Sequence, residues 1–297
     1  MPRYRDDDRL ASMVKRGQPD QSVEGLLDHI AGVLARFHAQ AERSPVISAQ
    51  GKISAIDQRW HEHLSELNRY AAEKISGLSG RCLSRIQNLA AEYAIGRWTL
   101  FTGRIDEGCI VDGHADLPVD NIFCVDGEPG LLDCLEFDDE LRYVDRIDDA
   151  AFLAMDLEFP GRKDLGDYFL KRYVAHSGET APPSLRDFYI AYRAVVRAKV
   201  DCVRLLQGKS EARTDATRQL LRSSTWRTVP FDWRSSLVTQ ARESPHLRTR
   251  LLKRLGQRLS QPTVCVGNYE NRASSPEVQV FRTRGCIART TSRPSTR

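Results

Sequence analysis

Between Leu26 and Leu206 the apolar residues return every three or four positions, and that period breaks only once, between Cys109 and Leu135. A stripe with a period near 3.6 residues can bury itself only as one face of a helix. The chain is therefore expected to fold as a mainly α (α+β) protein: helices, one small β-hairpin region, then helices again.

Before the break, Leu26, Leu27, Ile30, Val33, Leu34 and Phe37 predict a helix over residues 23 to 42, stopped at Ser44-Pro45. Ile56, Trp60, Leu64 and Leu67 predict a second from Ile53 to Ile75, and Leu83, Ile86, Ala90 and Tyr93 a third from about Leu78 to Phe101. After it, helices are expected at Ile147 to Leu157, Leu165 to His176 and, past Pro182-Pro183, Leu185 to Leu206. Within the break, apolar runs at Cys109 to Val111, Ile122 to Val125 and Leu131 to Leu135 are separated by Asp-Gly pairs, the pattern of small strands and tight turns. Residues 1–22 are polar, with the acidic run Asp6, Asp7, Asp8, and read as an irregular segment with one short helix.

No stretch reaches the roughly 20 apolar residues that span a bilayer, and the first residues lack an apolar signal core, so a cytoplasmic protein with no membrane partner is expected. The seven cysteines are scattered without a C-x-x-C pair and read as reduced thiols. Charge divides the chain: residues 211–297 hold 17 basic against 6 acidic residues, and the first 210 hold 27 against 34. The Arg/Ser/Thr-rich end has no sustained apolar period, so it is expected to be a poorly ordered basic tail or an out-of-frame product. Its arginines are evenly spread and not interleaved with aromatics, which argues against nucleic acid as a partner.

The chemistry lies in His114-Ala115-Asp116-Leu117-Pro118-Val119-Asp120-Asn121 and in Asp133, twelve residues after Asn121. An Asp, an Asn five residues on and a second Asp beyond the next strand is the spacing that kinase-type phosphoryl transfer needs. One carboxylate faces the acceptor hydroxyl, while an amide oxygen and a second carboxylate hold Mg²⁺ on the phosphates. A turn in which Asp and Asn merely satisfy backbone donors is the alternative.

The run from about Gly108 to Leu206 resembles the aminoglycoside phosphotransferase-like branch of the protein-kinase superfamily, whose catalytic loop reads H-G-D-L-H-x-x-N. It looks most like uncharacterised bacterial proteins that continue as I-x-D-C-x-E-F-x-x-x-x-R-x-x-D-x-x-x-D-x-A-F-L-x-M-D-L; here Leu131 to Leu157 reads LLDCLEFDDELRYVDRIDDAAFLAMDL, and Tyr189 to Val200 reads YIAYRAVVRAKV. The resemblance implies a kinase-like large lobe over 23–210 behind a hinge-like segment 1–22, with ATP and Mg²⁺ as cofactors and a small-molecule hydroxyl as acceptor. By the same resemblance Asp116 is the catalytic base or hydroxyl-orienting residue, Asn121 and Asp133 bind Mg²⁺ and the nucleotide phosphates, and Asp149 braces the loop. His114 supports it by packing and hydrogen bonding. Ala115 and Pro118 replace the family's Gly and second His.

No G-x-G-x-x-G occurs, and Lys15, Lys52 and Lys74, the lysines before the loop, sit in helical or loop contexts. The nucleotide-binding small lobe is therefore expected to be missing from this chain, leaving a non-enzymatic remnant or a subunit completed by a separately encoded lobe as the alternative to an ATP-dependent phosphotransferase. Related proteins often continue into a P-loop domain, but Gly208-Lys209-Ser210 has Val203 where the first Gly belongs. Glu136, Asp138 and Asp139 read as a solvated turn, Arg193, Arg197 and Lys199 as a charged helix face, and His61 and His63, two apart, as pointing to different faces.

Overall fold

The computed structural model describes residues 4–16, 20–72, 80–136 and 138–206. The tail, Gly208-Lys209-Ser210, Lys74, Cys265 and Cys286 lie outside them. Among the described residues the fold is mainly helical: α1 Leu10–Lys15, α2 Asp20–Gln40, α3 Pro45–Ala49, α4 Ile53–Ala72, α5 Gly80–Gly96, α6 Trp98–Asp106, α7 Arg146–Glu158, α8 Lys163–Ser177 and α9 Pro183–Leu206. None of these helices is long and apolar enough to cross a membrane. None of the five described cysteines is in a disulfide.

The centre of the packing is α7, in which every residue from Ile147 to Leu157 is buried. A helix with no face toward water must be covered on every side, and its buried Asp148, Asp149 and Asp156 must find partners there. Here α8 and α9 both pack on it, α2 packs on α8, and α4 packs on α9 and α5. Gly166 of α8 lets the two helices approach closely, since a Cβ there would stand 2.9 Å from the Ala154 carbonyl oxygen of α7. Around the α4–α9 contact, Trp60, Phe188, Tyr93 and Phe101 form a cluster in which the Tyr93 and Phe188 rings stack with centroids 4.6 Å apart.

Four strands fill the break in the helical pattern: β1 Ile110–Asp112, β2 Ile122–Val125, β3 Glu128–Leu131 and β4 Tyr143–Asp145. They make two separate antiparallel pairs. The β2–β3 hairpin turns at Asp126-Gly127, both at positive φ (54° and 80°), the conformation this dipeptide favours in a two-residue hairpin. β1 pairs with β4, Ile110 opposite Asp145, and β4 runs directly into α7, whose first turn the Asp145 carboxylate caps by accepting the Ile147 amide at 3.1 Å. The Tyr4–Lys15 segment lies against the hairpin, with Arg9 bridged to Phe123 and its guanidinium 5.1 Å from that ring.

Three sequence expectations change. The third helix is two, α5 and α6, because Arg97 leaves the helical conformation between them (φ −132°, ψ 33°). Pro45 opens a helix as well as following the end of one: Ser44 caps α3 by accepting the Ile47 amide at 3.2 Å, and proline at the first turn sacrifices no hydrogen bond. The strand expected at Leu131 to Leu135 lies earlier, at Glu128–Leu131, since the two-residue turn fixes its register against β2 and leaves Leu132 to Leu135 extended beyond it.

Candidate functional site

The loop His114–Val119 joins β1 to the hairpin, and buried side chains fasten it to α7 at three points. The Asp149 carboxylate, fully buried, accepts the amides of His114 (2.7 Å) and Ala115 (2.9 Å). Two helical turns on, about 10 Å along the axis, Asp156 accepts the Val119 amide at 2.8 Å. Between them Arg193 of α9 pairs with Asp148 through two hydrogen bonds (2.7 and 3.0 Å) and donates to the Ala115 carbonyl at 2.9 Å. Gly113 makes this proximity possible, since a Cβ there would stand 2.8 Å from the Asp149 carboxylate and 2.7 Å from Val144.

Two of the expected residues meet on this loop. Asn121 donates its Nδ2 to the backbone oxygen and to the carboxylate Oδ2 of Asp116, both at 3.2 Å. An amide that donates through nitrogen turns its oxygen elsewhere, and the Asn121 Oδ1 accepts no hydrogen bond among the described residues. Asp133 comes from the far side of the hairpin: the Leu132 amide donates to the Asn121 carbonyl at 2.9 Å, and Asp133 follows at φ 61°, exposed, with no ion pair or hydrogen bond among the described residues. Burial raises the Asp116 carboxyl above its ordinary range, with Asp133 adding to the rise and His114, Arg193 and the Asn121 hydrogen bond opposing it. Among the described residues no three His, Cys, Asp or Glu side chains converge as a metal-binding group.

Asp149 stands behind the loop and holds it through the backbone amides of His114 and Ala115. Burial alone would raise its pKa; the hydrogen bond from His38, with the electrostatic pull of His38, His114 and Arg193, instead holds it well below the usual carboxylate range. His114 is buried; among the described residues neither ring nitrogen has a partner with full hydrogen-bond geometry, and burial holds the imidazole below its ordinary pKa against the opposing pull of Asp149, Asp116 and the Leu132 backbone. Its support comes from the backbone, where its amide binds Asp149 and its carbonyl receives the Leu135 amide.

The remaining polar residues are absorbed by local structure. Asp138 caps the turn at Glu140, Asp139 pairs with Arg142, and Glu136 is exposed. Arg197 lies against Asp156 and Asp201, and Lys199 against Glu66. His61 and His63 face Gln87 and Tyr192 respectively. A second buried network ties Arg104 to Asp145 and Glu179, with Arg146 also on Glu179, joining α6 to the start of α7.

Sequence reasoning missed His38, Asp148 and Asp156. Each had a signal: all three are polar residues on helix faces otherwise apolar, His38 in line with Leu27, Ala31 and Leu34 on α2.

No protein-family model matches the chain, and no solved structure matches it. Three curated relatives, an uncharacterized protein of Mycobacterium bovis and two of Mycobacterium tuberculosis, are each 66% identical to it over 221 residues. The match takes in 74% of this chain and 43% of each relative, so the chain spans less than half the length of the curated proteins it is similar to.

Proposed function

We propose that the loop and hairpin belong to the large lobe of an aminoglycoside phosphotransferase-like enzyme and serve ATP- and Mg²⁺-dependent phosphoryl transfer to a small-molecule hydroxyl. The observation that carries the reading is the Asp116–Asn121 contact, made on a loop pinned to a buried helix and leaving the amide oxygen available. A carboxylate and an amide oxygen are hard donors suited to Mg²⁺, which keeps several waters and takes one or two protein oxygens plus phosphates. Asn121 and Asp133 would hold the ion, and the ion would neutralise charge on the phosphates.

In this reading Asp116 accepts a hydrogen bond from the acceptor hydroxyl and aims its oxygen. The Asn121 amide holds that carboxylate in place, and the α7 contacts keep the loop from relaxing. Such positioning supplies most of the rate in phosphoryl transfer. The sequence has no G-x-G-x-x-G, and among the described residues neither Lys15 nor Lys52 lies on a strand, which favours a second reading in which residues outside this sequence cover the phosphates.

Calorimetric titration of ATP with and without Mg²⁺ tests the proposal. Nucleotide binding that requires Mg²⁺ is expected; no binding under either condition overturns it.

A further inference from the structure

Asp149 and Asp156 lie two turns apart on α7 and hold opposite ends of one loop. The first stands beside Asp116. The second takes the amide of Val119, which opens a short helical turn, Val119–Asn121, that the Asn121 amide closes onto the Pro118 carbonyl at 3.0 Å. The first amides of a helical turn have no partner inside it, and the residue just before the turn usually supplies one from its side chain. Here that residue is Pro118, which has no side-chain acceptor. Asp156 fills the place from another helix: it is buried, gives its Oδ2 to the Val119 amide at 2.8 Å, and faces the Arg197 guanidinium with Oδ1, 4.0 Å away.

We propose that Asp156 is a positioning residue for Asn121: by capping the turn from α7 it sets the direction of the asparagine side chain, separately from the Asp149 grip that sets Asp116. The inference rests on the phosphotransfer reading for the ion that Asn121 would hold. From Ala115 to Val119 the backbone advances four residues, at most about 14 Å when extended, against about 10 Å of helix axis between the two carboxylates. Little slack remains, so releasing Val119 frees the turn while Ala115 stays pinned. Both hydrogen bonds from the Asn121 amide to Asp116 stand at 3.2 Å, where a small shift of the turn weakens them and swings the amide oxygen. A further tie on the turn, Arg9 to Asp120 at 3.8 Å, is a partly exposed pair of the kind that contributes little.

Residue-resolved hydrogen exchange on the full chain, without metal or nucleotide, compares the amides of Val119 and Asn121 with those of His114 and Ala115. In Asp156→Leu the first pair is expected to exchange about tenfold or more faster relative to the second. Asp156→Asn keeps an uncharged oxygen acceptor; it is expected to raise the ratio about two- to fivefold and serves if the leucine variant does not fold. Titration of Mn²⁺ in the presence of ATP reads the consequence for Asn121, with affinity expected to fall about fivefold or more in Asp156→Leu and about two- to threefold in Asp156→Asn. An unchanged exchange ratio in Asp156→Leu, or in Asp156→Asn where only that variant folds, overturns the proposal, as does equal acceleration of all four amides. A raised ratio with wild-type Mn²⁺ affinity overturns the role in placing Asn121. If the wild type binds neither Mn²⁺ nor ATP, the phosphotransfer reading fails and the exchange ratio alone decides whether Asp156 holds the turn.

Discussion

The Asp149 carboxylate accepts the Ala115 amide at 2.9 Å while Ala115 holds a left-handed conformation, φ 64°. An L-residue there costs roughly 1–2 kcal/mol relative to the right-handed region, so the conformation persists because its surroundings impose it. Asp149 takes the N–H of the turn and Arg193 its C=O.

That arrangement predicts an inverted ranking of substitutions at Ala115. Glycine removes the steric cost but loses a buried methyl worth about 0.8 kcal/mol and adds about 0.5–1 kcal/mol of chain entropy, so Ala115→Gly is expected to stay within about 1 kcal/mol of wild type. Ala115→Val adds volume in a site 3% exposed and puts a β-branched residue at positive φ; a loss of about 3 kcal/mol or more is expected. Urea denaturation checks both, and a valine variant as stable as the glycine variant would show that the turn is not held this way.

Arg193 and Asp148 form a pair nearly sealed from solvent, with Arg193 also stacked 5.0 Å from the Phe152 ring. Removing one partner leaves a buried charge, so Arg193→Met is expected to cost about 3–5 kcal/mol. The double variant Arg193→Met, Asp148→Asn no longer strands that charge and is expected to recover a large part of the loss. A double-mutant cycle measures the coupling; strict additivity would mean that the two charges act independently.

The helices were legible in the sequence because burying a stripe leaves a trace at every third or fourth residue, and six of the nine among the described residues follow that trace closely. The α5–α6 break left none: Tyr93 and Phe101 continue one apolar pattern, while the interruption is a backbone event at Arg97. The fourth strand escaped because Tyr143–Asp145 is three residues long, too short for alternation to show. At the candidate site Asp116, Asn121 and Asp133 stood out by type and spacing. The clamp did not, because Asp149 and Asp156 bind backbone amides of residues that can be of any type, and His38 reaches Asp149 across 111 positions.

Two histidines set a pH dependence above the carboxylate range. Burial, helped by the nearby charges of Lys199, Arg193 and Arg59, lowers the His63 imidazole to about 3, and burial lowers His114 against the opposing pull of Asp149 and Asp116. With folded pKa values below the unfolded value near 6.5, the unfolded chain binds more protons as pH falls, so stability decreases from about pH 6.5 downward. Burial would raise Glu179, but its hydrogen bond to Arg104 holds it at about 2, so its contribution is lost only later, as pH falls from about 4.5 toward 2. The urea midpoint is expected to be lower at pH 5.5 than at 7.5, and His63→Gln, able to keep a hydrogen bond to Tyr192, is expected to narrow that gap. Identical midpoints in the wild type at the two pH values would contradict neutral imidazoles at His63 and His114.

The two carboxylates of the loop and hairpin are expected to separate under mutation. Asp133 is exposed and makes no hydrogen bond among the described residues, as suits a direct ligand; Asp116 is half-buried and engaged by Asn121. Asp133→Asn removes a charge that would touch the ion, so Mn²⁺ or Mg²⁺ affinity in the presence of nucleotide is expected to fall about tenfold or more. Asp116→Asn keeps an acceptor for the Asn121 amide and removes no ligand, so metal affinity is expected to stay within about threefold. Because burial has pushed the Asp116 carboxyl up, its ionised form opposes folding at neutral pH, and Asp116→Asn is expected to raise the melting temperature. Calorimetry and a thermal melt on the same two variants decide the matter. Equal metal affinity in wild type and Asp133→Asn removes Asp133 from the metal site, and a lower melting temperature in Asp116→Asn means that its charge is stabilised where burial alone would disfavour it.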